Sequence, residues 1–223
     1  MEPSNGQLMR HIDQYIEHLF VPRDAALSQG LKDAQAAGLP SINVSANEGK
    51  LLYVIAKMAK ARRVLEIGTL GGYSTTWLAR ALPPDGKLIT LELDSKHADV
   101  ARRNLDRNGV GDRVEIRIGR AIDSLRKMIA AGEAAFDVIF IDADKPSYLD
   151  YLNLALQLSQ PGTIILADNT IRNGRVMEAN PPEENARSAR AYNDAIASHP
   201  QLDSIVLPII REAIDGLAIS IVK

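Results

Sequence analysis

The 223-residue sequence contains no cysteine, so disulfides, thiolate metal sites and a cysteine nucleophile are all excluded. Neither sign of charge prevails: 26 Lys and Arg stand against 28 Asp and Glu, a formal net charge of -2. That balance offers no general attraction to nucleic acid or to an anionic membrane surface. No stretch approaches 18 uninterrupted apolar residues, and Met1-Glu2-Pro3-Ser4-Asn5-Gly6 lacks the basic segment and apolar core of a secretion signal. The expectation is a soluble, unprocessed, cytoplasmic protein with neither nucleic acid nor membrane as a partner. Repeats, long linkers and low-complexity tracts are also missing, and the length suits one domain. The few histidines, His11, His18, His97 and His199, fall away from the acidic strand ends described below and are expected to be structural or solvated.

What is present has a clear rhythm. Leu8, Ile12, Ile16 and Leu19 recur at helical spacing, so a first amphipathic helix is expected to end before Pro22. A second is expected over residues 24–37. Ser45-Ala46-Asn47-Glu48 has the spacing of a capping box and opens a third helix running towards Lys60. From Val64 the pattern changes to β-branched runs at residues 64–67, 88–93, 114–118, 138–141 and 163–167, alternating with helical stretches. Alternation of this kind marks βαβ units around a parallel sheet. A polar, proline-rich segment after Asp168 is expected to form a loop over the strand ends. A helix at residues 186–197 and strands at 204–207 and 216–221 would complete the sheet.

Two of these strands stop abruptly on oxygen-bearing side chains: Phe140-Ile141-Asp142-Ala143-Asp144-Lys145 and Ile164-Ile165-Leu166-Ala167-Asp168-Asn169. The carboxyl edge of an open α/β sheet is where ligands bind. Asp142, Asp168 and Asn169 offer hard oxygen donors without thiolate or imidazole, a set that suits a Mg²⁺-type ion. Between the first strand and the next helix lies Glu66-Ile67-Gly68-Thr69-Leu70-Gly71-Gly72-Tyr73-Ser74, whose glycines permit a tight turn and close approach of a ligand. It is not G-x-G-x-x-G and lacks the lysine of a P-loop, which weakens dinucleotide and nucleoside-triphosphate readings. Glu92, ending the second strand, is placed to accept hydrogen bonds from ribose hydroxyls. Ordinary turn chemistry accounts for any one of these features, since Asp caps helices and Pro146 suits a first turn. It does not explain charge converging on one sheet edge from successive strands. Tyr148 and Tyr151 share a helix face, where core packing is the default expectation.

Together these motifs, in order and spacing over almost the whole chain, resemble the cation-dependent O-methyltransferases, the family that includes caffeoyl-CoA and catechol O-methyltransferases. The resemblance implies an α/β fold, Rossmann-like, of the class I S-adenosylmethionine-dependent type. Its seven-stranded, mostly parallel sheet would carry helices on both faces, with the last inserted strand antiparallel. Residues 1–223 would form one domain, a helical cap over 1–60 and an α/β core over 61–223. Val44, Glu66, Gly68, Ser74, Glu92, Ala121, Asp142 and Asp144 match positions that bind the methyl donor. Asp142, Asp168 and Asn169 match the ligands of Mg²⁺ or another divalent cation. Lys145 matches a candidate general base acting with Asp142, and Asn173 a substrate-contacting asparagine. Arg172 departs from the tryptophan that plant members carry. The implied activity is methylation of one hydroxyl of a catechol-like or caffeoyl-type small molecule by a homodimer, leaving S-adenosylhomocysteine. A nucleotide-dependent oxidoreductase, or a cofactor- or RNA-binding module without chemistry, is the alternative.

Overall fold

The computed structural model describes residues 5–210 and 214–223. Successive residues of a strand point to opposite faces of a sheet, and the buried runs read from the sequence divide accordingly. In β1 (Arg63–Ile67), Val64 packs into one layer of the core and Leu65 and Ile67 into the other. In β4 (Val138–Ile141), Val138 and Phe140 take the first layer, Ile139 and Ile141 the second. With β2 (Lys87–Glu92), β3 (Val114–Ile118) and β5 (Ile164–Ala167) these strands run parallel. β6 (Leu202–Ile210) and β7 (Ile214–Val222) extend the sheet to seven strands in the order β3-β2-β1-β4-β5-β7-β6. β7 is antiparallel to both of its neighbours, as the resemblance implied.

The helices are α1 (Asn5–Phe20), α2 (Ala25–Ala36), α3 (Ala46–Met58), α4 (Tyr73–Ala81), α5 (Ser95–Arg107), α6 (Ala121–Ala130), α7 (Tyr148–Gln157) and α8 (Glu184–Ser198). α3, α4 and α5 cover one face of the sheet, and α6, α7 and α8 cover the other. No helix among the described residues is long and apolar enough to cross a membrane. The capping box forms as expected: the Ser45 hydroxyl accepts from the Glu48 amide and Glu48 accepts from the Ser45 amide. α3 stops two residues short of the expected Lys60. Lys60 adopts φ +50° and the Ala61 amide donates back to the Ala56 carbonyl, a Schellman ending built on lysine instead of glycine. β6 and β7 are longer than the sequence suggested. Pro208 and the polar Asp203 hid the length of β6, because an edge strand tolerates proline and polar side chains.

Polar side chains, partly or fully buried, tie the helices to one another and to the glycine turn. Asn104 of α5 donates to the carbonyls of Gly30 in α2 and Gly71 in the glycine turn. Asp24 caps α2 through the Leu27 amide and pairs with Arg80 of α4 at 2.6 Å. α1 is tied to α3 by Asn47, which donates to Asp13. Its stripe of Leu8, Ile12, Ile16 and Leu19 remains exposed.

One position in β1 breaks the apolar pattern. Glu66, on the same side of the strand as Val64, is fully buried. Its Oε1 accepts from Ser74 at 2.7 Å, and its Oε2 accepts from Thr75 at 2.5 Å and Thr90 at 2.7 Å. The carboxylate thereby locks the first turn of α4 to β1 and β2. Burial pushes its carboxyl up from 4.5 to about 7, against the pull of the three hydroxyl donors. The folded chain thus holds this proton more tightly than the unfolded chain. The resulting stabilisation is complete below pH 4.5 and is lost as pH rises through about 7. Glu66→Gln cannot ionise, so relative to wild type it should remove about 2 kcal/mol of the fall in unfolding free energy between roughly pH 5 and pH 7.5. Urea melts of both proteins at the two pH values measure this; equal slopes with pH would contradict it.

Candidate active site

The strand order reverses at β1 and β4, whose chains leave the sheet for helices on opposite faces. Such a switch point opens a cleft at the carboxyl edge of the sheet. Here the two strand ends nearly touch. A Cβ on Gly68 would lie 2.1 Å from the Asp142 carbonyl oxygen, and Gly68 has φ +105°. Only glycine meets both conditions. A cavity of about 1010 Å³ opens above this junction, near the upper end for small-molecule sites.

One wall is the glycine turn. Gly72, at φ +80°, precedes α4 and leaves the helix without a side-chain cap. Glu92 reaches back from β2 to hold the turn: its Oε2 accepts from the Leu70 amide at 2.8 Å and the Thr69 amide at 3.2 Å, and its Oε1 from the Asp94 amide at 3.0 Å. His97 Nδ1 lies 3.5 Å from Oε1 and lines the cavity, whereas the sequence suggested a structural or solvated residue. The first turn of α5 folds back on the strand end, and the Asp94 cap that makes it do so was the available signal.

The opposite wall is built from β4 and β5. Asp144 accepts from Tyr151 and Ser147, each at 2.5 Å. Lys145 is buried, and its Nζ donates to Asp142 Oδ1 at 3.0 Å and to the Tyr148 hydroxyl at 2.7 Å. Both tyrosines therefore have polar duties that core packing alone did not anticipate. Asp168, on the neighbouring strand, is almost fully buried. Burial and then the charges of Asp142 and Glu48 push its carboxyl up to about 8, outweighing the Asn169 amide that donates to it at 2.7 Å. A carboxyl held back from ionising by burial and by like charges fits a hard cation, which would favour its charged form, with the Asn169 amide oxygen as a third donor. No cluster of three Asp, Glu, His or Cys side chains among the described residues makes a metal site by itself.

The loop after β5 is held in an unusual conformation, with φ near +55° at Asn169 and Asn173 and +52° at Arg172. Asp215 of β7 sustains it by accepting from the Ile171 and Arg172 amides. Sequence reasoning missed Asp215, which carries no local motif.

Of the residues singled out in the sequence, Val44, Gly68, Ser74, Glu92, Ala121, Asp142, Asp144, Lys145 and Asn169 border the cavity. Three stand back from it. Glu66 lies beneath the glycine turn, Asp168 sits behind Asn169, and the Asn173 side chain accepts from the Ile214 amide at 2.9 Å.

Comparison with known proteins identifies the family. The family model of the O-methyltransferases matches residues 23–220. A catechol O-methyltransferase of Niastella koreensis is 46% identical over 220 residues, 98% of this chain and 100% of that protein. Caffeoyl-CoA O-methyltransferase 1 of Eucalyptus globulus is 32% identical over 212 residues, 91% of this chain and 84% of its own length. The crystal structure of the O-methyltransferase from Bacillus cereus in complex with SAH superposes with a TM-score of 0.94 at 40% identity, over 98% of this chain and 100% of that one. These matches displace the oxidoreductase and binding-module alternatives. A glycine turn answered by Glu92 and an acidic cluster answered by Lys145 thus face each other across one cavity, on a chain that belongs to the O-methyltransferase family.

Proposed function

We propose that this chain transfers the methyl group of S-adenosylmethionine to one hydroxyl of a catechol-like or caffeoyl-type vicinal diol, with Mg²⁺ or another divalent cation at its acidic cluster. The observation that carries this reading is the continuity of the cavity, which runs from Glu92 and His97 to Lys145 and Asn169 without a dividing wall. Val44, Gly68, Ser74, Glu92, Ala121, Asp142 and Asp144 are assigned to the donor. Glu92 keeps its loop contacts and turns its remaining lone pairs to the ribose hydroxyls. Glu66 acts from below, by fixing Ser74.

Asp142, Asp168 and Asn169 would hold the cation, which when bound supplies electrostatic stabilisation to the oxyanion of the diol. Lys145 takes the proton of the attacking hydroxyl as the oxygen–methyl bond forms and the sulfur–methyl bond breaks. The rest of the work is alignment: two rigid walls on adjacent strand ends bring oxygen, carbon and sulfur into line. Asn173, through its bond to Ile214, steadies the loop at the acceptor end. Residues 1–60 are assigned as a cap on the 61–223 core. The exposed stripe of α1 is assigned to a homodimer contact, since an apolar helix face of this length otherwise stays in water.

Labelled methyl transfer to catechol tests the function, with phenol as the control lacking the second oxygen. Turnover of catechol, none of phenol and loss of activity in excess chelator are expected, with recovery on adding Mg²⁺ or Mn²⁺. Asp168→Ala should lower turnover by at least about 100-fold, the upper end of what outer-shell changes cost. Full activity in chelator, with metal absence confirmed by elemental analysis, would refute the cation's role.

Glu92→Ala should weaken binding of S-adenosylhomocysteine by roughly 1–3 kcal/mol, as expected for hydrogen bonds to a charged group. Titration calorimetry on the folded variant decides it, and an unchanged affinity removes Glu92 from the donor site.

Light scattering across micromolar concentrations should give the mass of a dimer. An invariant monomer mass would leave α1 without the assigned partner.

A further inference from the structure

The residues Lys145 to Ser147 form a single 3₁₀ turn between β4 and α7. In that geometry side chains three apart eclipse one another. Tyr148 is therefore brought beside Lys145, and its hydroxyl lies 2.7 Å from Nζ. The phenol has one proton, which it gives to the Asp168 carbonyl oxygen at 2.9 Å; the Ile141 carbonyl, at 3.3 Å, is the more distant neighbour. Towards Lys145 the same oxygen can only accept. The ring is fully buried and clamped edge-on by Tyr192 of α8, with centroids 5.5 Å apart.

The consequence lies in the directions left to the amine. Nζ is tetrahedral, and beyond its bond to Cε it has three directions. Asp142 Oδ1 takes one and the Tyr148 oxygen takes a second. Lys145 borders the cavity while being buried on its other sides, so the third direction is the one left for the acceptor. We infer that Tyr148 is a positioning residue, whose hydroxyl, anchored on the Asp168 carbonyl just past the end of β5, aims the third direction of Lys145 Nζ at the acceptor hydroxyl. The inference rests on the role given to Lys145 above. A satisfied core tyrosine would need only the carbonyl bond; the contact to Nζ is the shorter of the two.

The test uses four full-length proteins: wild type, Tyr148→Phe, Lys145→Met and the double variant, assayed with catechol, Mg²⁺ and saturating methyl donor. Tyr148→Phe should lower kcat by roughly 10- to 100-fold, the scale of an ångström-sized misalignment, while KM for catechol stays within about twofold. In the Lys145→Met background the same change should cost nothing further, because the group being aimed is gone. If Lys145→Met is impaired but Tyr148→Phe turns over at the wild-type rate, or if the Tyr148→Phe cost persists undiminished without Lys145, the inference fails and the role of Lys145 stands. If Lys145→Met keeps full activity, the role of Lys145 fails and takes the inference with it. An independent reading comes from the wild-type chain, without any risk of misfolding: carbon-13 relaxation of lysine Cε should show Lys145 rigid beside the exposed Lys57 and Lys60. A Lys145 terminus as mobile as theirs would overturn the inference.

Discussion

The close approach of Gly68 to the Asp142 carbonyl is the contact around which the molecule is arranged. β1 and β4 are paired in register, Ile67 beside Ile141, and then diverge to opposite faces of the sheet. A side chain at residue 68 would push the two strand ends apart, and the walls of the cavity with them. The absence of one methyl group therefore brings the glycine turn and the acidic cluster within reach of a single small molecule. Everything downstream reinforces that proximity: Glu92 pins the turn from β2, Asn104 pins it from α5, and Asp215 pins the facing loop from β7.

Three buried acids at this edge show how neighbours decide what one functional group does. Glu66 is surrounded by hydroxyl donors and serves as a lock between strand and helix. Glu92 accepts from backbone amides and braces a turn, leaving its outer face to the cavity. Asp168 has like charges for neighbours in Asp142 and Glu48, and burial raises the cost of keeping it ionised. In the proposed reaction that cost is offset by a cation. Lys145 meets the Asp142 carboxylate directly, and Tyr148 joins it to the backbone carbonyl of Asp168.

The parts of this fold that were legible in the sequence share a cause: each is written in a local pattern. β-branched runs gave the parallel strands, Ser45 and Glu48 gave a helix start, and acidic residues ending apolar runs marked the edge where the cavity opens. The parts that were hidden depend on contacts between distant segments. Tyr148 and Tyr151 read as core because their helical spacing says nothing about where the hydroxyl goes. His97 read as structural or solvated because only the fold of α5 returns it to Glu92. Asp215 acts through the amides of a loop far away in sequence. β6 was read short because Pro208 sits on an edge, where proline removes no hydrogen bond the sheet requires. The same distinction applies at the site. Residues with a motif around them could be singled out as candidates, whereas Asp215, which has none, could not.

The central claim is that donor and acceptor are held by facing walls of one cavity, with a divalent cation on the β4–β5 side. Crystals grown with S-adenosylhomocysteine and catechol and soaked in Mn²⁺ test this most directly, through the anomalous signal of the metal. The account predicts one strong anomalous peak within coordination distance of Asp142, Asp168 and Asn169, the donor product's ribose at Glu92, and both catechol oxygens beside the metal with one near Lys145 Nζ. A peak elsewhere on the chain, or catechol bound away from Lys145 with no metal beside it, would contradict it.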